Sequence, residues 1–446
     1  TLIDGVSALK LREDQAPALD TIQSRRYSML YGTMGSGKTA VAASCVNHWT
    51  GRTLIVAPVR VIPQVWKPEL ERWTGAEYTV CAGKTPSYVD AVLAAEHPCD
   101  VVLITPDQLS GITKRWAREL HVFGFRNLIV DEVSGFTSPG SNRVKALRRL
   151  HKQFTNVLTL TGTPVSDDWG ALYAECLVTD GGATLGTLQE AFYQRYFANL
   201  PPGRTFGKRE LLPGAAERLT AAVAPLLITL DDYRHKLPPK QYVNRWLDMP
   251  EDTHEVSKIL ARDYVVDDIE AVNDGVLSGK LQQLASGVLY DEEDYIEYDN
   301  VRMRAAARLV TDLLDNYTHV MVMYTLRADA ERMTYAFGGD VRLYRPTPKG
   351  LAGWQDKGGI LLAHPKSVGH GLNLAAYCNT LVWIAPHWSR DLKDQTEARI
   401  WRTGQTKEVT IHNIYMRDSI DRALIARLNS KAEYDATFRN YLEELK

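Results

Sequence analysis

The residues Gly32-Thr-Met-Gly-Ser-Gly37-Lys38-Thr39 satisfy the spacing G-x-x-x-x-G-K-[ST] in full. Glycines let a backbone curl until successive N–H groups converge on the β- and γ-phosphates of a nucleotide. The lysine then adds a point charge, and the threonine hydroxyl ligates Mg²⁺. On this reading Gly35, Ser36, Gly37 and Lys38 cradle phosphate, and Thr39 holds metal. Phosphoryl chemistry also needs carboxylates. Asp131-Glu132 stands about 90 residues downstream, straight after the apolar run Leu128-Ile-Val130. Asp131 suits support of Mg²⁺, and Glu132 suits orienting and deprotonating the attacking water. Far along the chain, Gln395, Arg399 and Arg402 recur at spacings of four and three. Helical periodicity predicts all three on one face. Two guanidiniums aimed one way fit a polyanion, and could neutralise charge as a γ-phosphoryl group is transferred.

These groups need a scaffold that presents them at one edge. Short runs rich in β-branched residues supply it: Arg26–Tyr31, Arg52–Ala57, Asp100–Thr105, Asn127–Val130 and Asn156–Leu160. A helix is predicted from about Thr39 to Trp49. The rhythm returns at His319–Tyr324, Gly359–Ala363, Thr380–Ile384 and Val409–Ile414. Continuous apolar strands alternating with helices indicate parallel sheets covered on both faces, and strands ending in acids place those acids where α/β folds hold ligands. Between the blocks, about 168 to 310, helical patterns dominate. The Pro-Pro pair in Asp232–Lys240 marks an extended boundary. The fold class predicted is α/β, with two parallel-sheet domains joined near residue 235 and helical insertions at about 168–225 and 240–310.

Composition excludes several classes. With 446 residues, 45% of them hydrophobic and 24% charged, the chain is neither disordered nor collagen-like. No apolar stretch reaches the length of a spanning helix, and the first residues do not read as a signal peptide. Five scattered cysteines without a C-x-x-C pair fit neither a disulfide framework nor a zinc ribbon. The formal net charge of −2 means that any nucleic acid must be held by a local basic surface. The helix from Arg143 through Lys152 carries five Lys or Arg and reads either as such a surface or as a solvated face. Asp291 to Asp299 is an acidic run that phosphate would repel. The ten tryptophans fall mostly within strand or helix patterns and read as core.

In this order along the chain, the motifs resemble those of superfamily 2 nucleic-acid motors, and more narrowly the SNF2 (Swi2/Snf2) ATPases, including compact phage or prokaryotic members. Leu11-Arg-Glu-Asp-Gln15 resembles the adenine-reading Q motif, and Met34-Gly-Ser-Gly-Lys-Thr39 the family's M-G-L-G-K-T. Leu54–Pro58 with Gln64-Val-Trp66 resembles motif Ia. Asp131-Glu-Val-Ser134 stands where D-E-A-H is usual, and Leu160-Thr-Gly-Thr-Pro164 matches motif III. Gly369–Leu374 resembles motif V, Gln395–Gln405 motif VI, and Ser419-Ile-Asp421 the closing T-I-D-E helix. The resemblance runs from about residue 9 to 431.

It implies two RecA-like parallel-sheet lobes in tandem, residues 1–232 and 233–446, clamping ATP with Mg²⁺. Arg12, Gln15, Met34 and Gln395 would bind ATP with the phosphate loop, and Lys38, Glu132, Arg399 and Arg402 would be catalytic. Ser134, Thr161, Gly162 and Thr163 would couple hydrolysis to movement, with Ser134 departing from the family's His. Candidate DNA contacts lie at strand ends: Arg60, Thr105, Lys366, Ser367 and Gly371. The function implied is an ATP-dependent double-stranded DNA translocase acting in the cytoplasm of a prokaryotic or phage-infected cell. Strand separation or annealing on single-stranded, forked or RNA substrates is the alternative. A nucleotide-gated DNA-binding module that recruits a partner is a second one.

Overall fold

The computed structural model describes residues 10–33, 35–95, 99–116, 118–162, 169–199, 209–231, 236–266, 269–291, 294–338, 342–368, 372–426 and 428–429. They fall into two compact units, within Thr1–Asp232 and Tyr233–Ala432.

The first unit is built on seven strands: β1 (Tyr27–Tyr31), β2 (Arg52–Val56), β3 (Tyr78–Val80), β4 (Val101–Ile104), β5 (Phe125–Val130), β6 (Asn156–Thr161) and β7 (Leu227–Thr229). They pair in parallel in the order β3-β4-β2-β5-β6-β1-β7. Alternate residues of one strand serve opposite cores. Met29 and Tyr31 join one cluster while Leu30 joins the other, and Leu128 and Val130 part from Ile129 in the same way. A strand buried on both faces is apolar throughout, which is why these runs stood out. β1 and β5 are not neighbours; β6 lies between them.

The second unit holds β8 (Lys240–Leu247), the hairpin pairs β9 (Val265–Val266) with β10 (Ile269–Glu270) and β11 (Val288–Asp291) with β12 (Asp294–Glu297), then β13 (His319–Met323), β14 (Leu343–Tyr344), β15 (Gly359–Ala363), β16 (Thr380–Trp383) and β17 (Val409–Met416). Six of these form a second parallel sheet, ordered β14-β15-β13-β16-β17-β8. Val320 and Val322 face one core, and Met321 and Met323 the other.

The expected helical insertion at 240–310 is corrected here. The segment does contain helices Glu251–Asp263 and Asp274–Ala285, but it opens with an edge strand and carries both hairpins. β8 pairs with β17 over eight residues, from Lys240↔Val409 to Leu247↔Met416. Lys240-Gln-Tyr-Val-Asn-Arg-Trp-Leu is exposed or half-buried throughout, so it lacks the apolar run that marks a central strand. The acidic run is partly consumed locally. Glu297 pairs with Arg332 at 3.0 Å, and Asp299 accepts from the Thr253 hydroxyl at 2.8 Å and the Val301 amide at 3.0 Å.

One buried charge pair holds this unit together from its far end. Arg302, on helix Val301–Leu314, donates Nη2 to Asp421 at 2.5 Å, and both side chains are wholly buried. Asp421 also accepts the Met416 amide at the end of β17. Truncating Asp421 to Ala strands the guanidinium without its partner, for a loss of about 3–5 kcal/mol. Urea unfolding of the full chain should show that loss, whereas a change under 1 kcal/mol would mean that water or another group takes over.

Candidate nucleotide site

The loop after β1 is shaped by its glycines. Gly35 and Gly37 both take φ of 81°, which side-chain-bearing residues adopt only with strain. A Cβ at Gly37 would overlap the Gln15 amide, and one at Gly32 would overlap the Ser36 hydroxyl. The loop runs into helix Lys38–Val46, whose first N–H groups have no partner within the helix and favour an oxyanion. Ser36 Oγ is buried and lacks a hydrogen-bond partner among the described residues. A phosphate oxygen is the kind of group that would satisfy it.

Lys38 Nζ donates to the Gly32 carbonyl at 2.6 Å and the Thr33 carbonyl at 3.4 Å. Burial pushes its ammonium below the ordinary value, and the Glu132 and Asp131 carboxylates pull it back up. Asp131 leaves the carboxyl end of β5 and is buried. Its Oδ2 accepts from the Trp66 indole at 2.8 Å and its Oδ1 from the Glu132 amide at 3.0 Å. Burial first, and Glu132 second, push the Asp131 carboxyl up to about 7. A carboxylate so disfavoured gains from a divalent cation brought beside it. Thr39 and Asp131 offer oxygen donors only, which suits Mg²⁺ completed by phosphate and water. No group of three or more His, Cys, Asp or Glu suited to a metal occurs among the described residues. Glu132 sits at φ 52°, a strained backbone for a residue with a side chain.

Trp66 was not singled out for this role by the sequence, although motif Ia contains it. A single turn of π-helix, Ile62–Trp66, carries the indole into the core. Trp66→Phe removes the indole donor on Asp131, the one side-chain donor to it among the described residues, and should lower stability by about 1–3 kcal/mol. Thermal unfolding would measure it, and an unchanged melting temperature would show the bond to be dispensable.

Arg12 and Gln15 reach the same loop. Arg12 Nη2 donates to the Ser36 carbonyl, and Gln15 Nε2 donates to it at 3.1 Å and to the Gly37 carbonyl at 3.5 Å. Gln15 Oε1 accepts the Arg12 amide at 3.0 Å. The two residues therefore grip the phosphate loop's backbone. Thr161 ends β6 opposite Tyr31, and its carbonyl accepts the Gly32 amide at 3.3 Å. Gly162 follows it and is buried, and Ser134 is half-buried in the turn Val133–Gly135 after the acids. Met34, Thr163 and Gly371 lie outside the described residues.

The expectation for the arginines needs a correction. Helix Arg390–Glu397 ends before them, so Arg399 and Arg402 sit in turns past its end rather than on its face. They converge all the same. Arg399 Nη1 and Arg402 Nη1 donate to the Leu372 carbonyl at 3.3 and 3.4 Å, and Arg399 Nε donates to the Gln395 carbonyl at 3.0 Å. Gln395 Oε1 is buried with no partner among the described residues. What anchors the turn is a residue that motif matching passed over. Glu397, 1% exposed, accepts from Lys240 at 3.1 Å and Tyr242 at 2.7 Å, and pairs with Lys393. Burial alone would push its carboxyl up; Lys393 and Lys240 outweigh that and hold it below the ordinary value. The i, i+4 pair Lys393–Glu397 was the available sequence signal.

Of the candidate DNA contacts, Arg60 and Thr105 follow the carboxyl ends of β2 and β4, and Lys366 and Ser367 follow that of β15. In the first unit this is the edge that bears the phosphate loop. Ser367 donates to the His364 carbonyl at 2.6 Å, and Thr105 caps a short turn with Gln108. Burial lowers the nearby His387 to about 4, so it is neutral at pH 7.

A curled glycine loop with its lysine, and two acids two strands away on the same edge of a parallel sheet, define a nucleoside-triphosphate-binding α/β protein. The SNF2-related domain model matches residues 15–286, and the chain belongs to this family of helicase-like ATPases. It is 28% identical over 445 residues to protein p41 of Acyrthosiphon pisum secondary endosymbiont phage 1, covering 91% of this chain and 92% of that one. It is 22% identical to the mouse (Mus musculus) Chromodomain-helicase-DNA-binding protein 1-like, covering 96% of this chain but 50% of that protein. The Sulfolobus solfataricus SWI2/SNF2 ATPase core, solved in complex with dsDNA, is similar over 98% of this chain and 96% of that one, at 17% identity and a TM-score of 0.43. No helix among the described residues is long and apolar enough to cross a membrane.

Proposed function

We propose that the chain is an ATP-dependent double-stranded DNA translocase with lobes 1–232 and 233–446. The observation that carries this reading is the phosphate loop at the end of β1 with Asp131 and Glu132 at the end of β5, all on one sheet edge. ATP is the substrate. The loop amides, Ser36 and Lys38 hold its phosphates, while Thr39 and Asp131 hold Mg²⁺, which supplies charge to the transferring phosphoryl group. Glu132 takes the proton of the attacking water. Arg399 and Arg402 neutralise charge on the γ-phosphate. Arg12 and Gln15 stiffen the loop and report on the base. Ser134, Thr161, Gly162 and Thr163 pass the state of the nucleotide to the duplex, whose backbone is met by Arg60, Thr105, Lys366, Ser367 and Gly371. Phosphate contacts without base readout suit movement along any sequence.

ATPase rates with duplex, single-stranded, forked and RNA ligands test this reading. Duplex should stimulate most, and absence of stimulation by every ligand would overturn it. Eviction of a triplex strand without separation of the duplex should accompany hydrolysis, whereas strand separation on forks would assign the helicase activity instead. Lys38→Ala should abolish detectable binding of a fluorescent ATP analogue, because the half-buried cation and its phosphate contacts vanish together. Retained binding would remove Lys38 from the site.

A further inference from the structure

Of the five cations of the helix Asn142–Leu150 and the turn after it, Lys145 is exposed and the other four divide between two ends of the first unit. Arg143 turns toward Asp107 and pairs with it at 2.5 Å. Arg148, Arg149 and Lys152 instead line an open cavity of about 820 Å³ together with Arg118 and Arg126. His121 and Gln153 complete the lining, which contains no acidic side chain. Gln153 fixes the wall, donating to the Trp116 carbonyl at 3.0 Å and accepting the His121 amide at 3.4 Å. Arg126 Nη1 donates to the His121 carbonyl at 3.1 Å.

The cavity is not part of the nucleotide site. Arg126 is the second residue of β5, and Asp131 follows its last. Five residues of strand separate them by about 16 Å. Lys152 and Gln153 precede β6, so the lining gathers at the amino edge of the sheet. Gathering five permanent cations is unfavourable for a folded chain unless something offsets the repulsion. Neighbouring arginines here are offset: Arg115 pairs with Asp90 at 2.5 Å, as Arg143 does with Asp107. None of the five lining cations has such an ion pair among the described residues.

We infer that this cavity is a second nucleic-acid site, which takes the phosphodiester backbone of a duplex segment distinct from the track at the carboxyl edge. Four of the five cations are arginines, whose planar forks bind phosphate oxygens in pairs. An open trough this size exceeds a single phosphate and suits a line of them. The site holds DNA without reading bases and keeps the chain on its substrate through the weak-grip phase of a cycle.

The test uses the full chain and a 30-base-pair duplex. In the triple variant Arg118→Gln/Arg126→Gln/Lys152→Gln all three side chains replaced are exposed. Binding is measured from low to moderate salt. The variant should bind at least tenfold more weakly, and the slope of log K against log salt should fall by about 2 to 3, since each phosphate contact contributes about 0.9. Binding of a fluorescent ATP analogue and the melting temperature should match the parent, which separates loss of the site from loss of the fold. Stimulated turnover at saturating DNA should also match. An unchanged slope and affinity would overturn the inference while leaving the translocase reading intact. No duplex binding by the parent would overturn both. Poly-glutamate that displaces duplex at equal charge would assign the cavity to an acidic protein instead.

Discussion

Glu132→Gln should retain ATP affinity within about twofold and lose turnover by about 10²–10⁴-fold, the range expected when a positioned general base is removed. The swap keeps the side chain's size and its hydrogen-bonding shape and deletes only its basicity. Lys38 would then lose one of two carboxylates that hold its ammonium charged, but Asp131 remains. Nucleotide binding should therefore survive. The strained backbone at Glu132, φ 52°, aims this side chain independently of its identity, so the amide should occupy the same place. Rapid-quench hydrolysis alongside equilibrium nucleotide binding separates the two effects. Turnover at the parental rate would strip Glu132 of its role and leave Asp131 as the candidate base.

Arg402→Ala should lower kcat by about 10³-fold or more if the guanidinium acts as other arginine fingers do. The expectation is specific to kcat. Arg402 and Arg399 share the Leu372 carbonyl, so removing one leaves the other anchored, and ground-state affinity should change little. Arg402→Lys would not rescue, because a point charge on a flexible stem lacks the fork. Stimulated ATPase rates at saturating nucleotide and DNA measure this. An unchanged kcat would return Arg402 to a structural part in holding the turn.

Much of this architecture was legible in the chain because it is written in strong signals. Strands buried on both faces are apolar throughout, as Leu54-Ile-Val56 and Leu128-Ile-Val130 show. The phosphate loop was legible because positive φ at two positions demands glycine at both. What was lost is equally physical. β8 has no apolar face to betray it; its eight backbone pairs with β17 leave no mark on side-chain identity. The arginines at 399 and 402 were read from periodicity, which carries no information about where a helix stops. Their convergence instead depends on Glu397, held by Lys240 from a strand more than 150 positions earlier. The pairing of Arg302 with Asp421 hid for the same reason: a buried charge looks like a surface one until its distant partner is known.

The place of β6 between the loop-bearing strand and the acid-bearing strand has a consequence for how this protein can diverge. Strands lie about 4.8 Å apart wherever their backbones bond. Two such steps set the gulf from β1 to β5 at about 10 Å. That gauge is set by peptide groups, which every sequence shares, so side chains along β6 can be exchanged without widening or narrowing the gap. Inserting or deleting a strand would alter it; swapping valine for isoleucine would not. The distance from the glycine loop to the acids is thus insulated from most mutational drift.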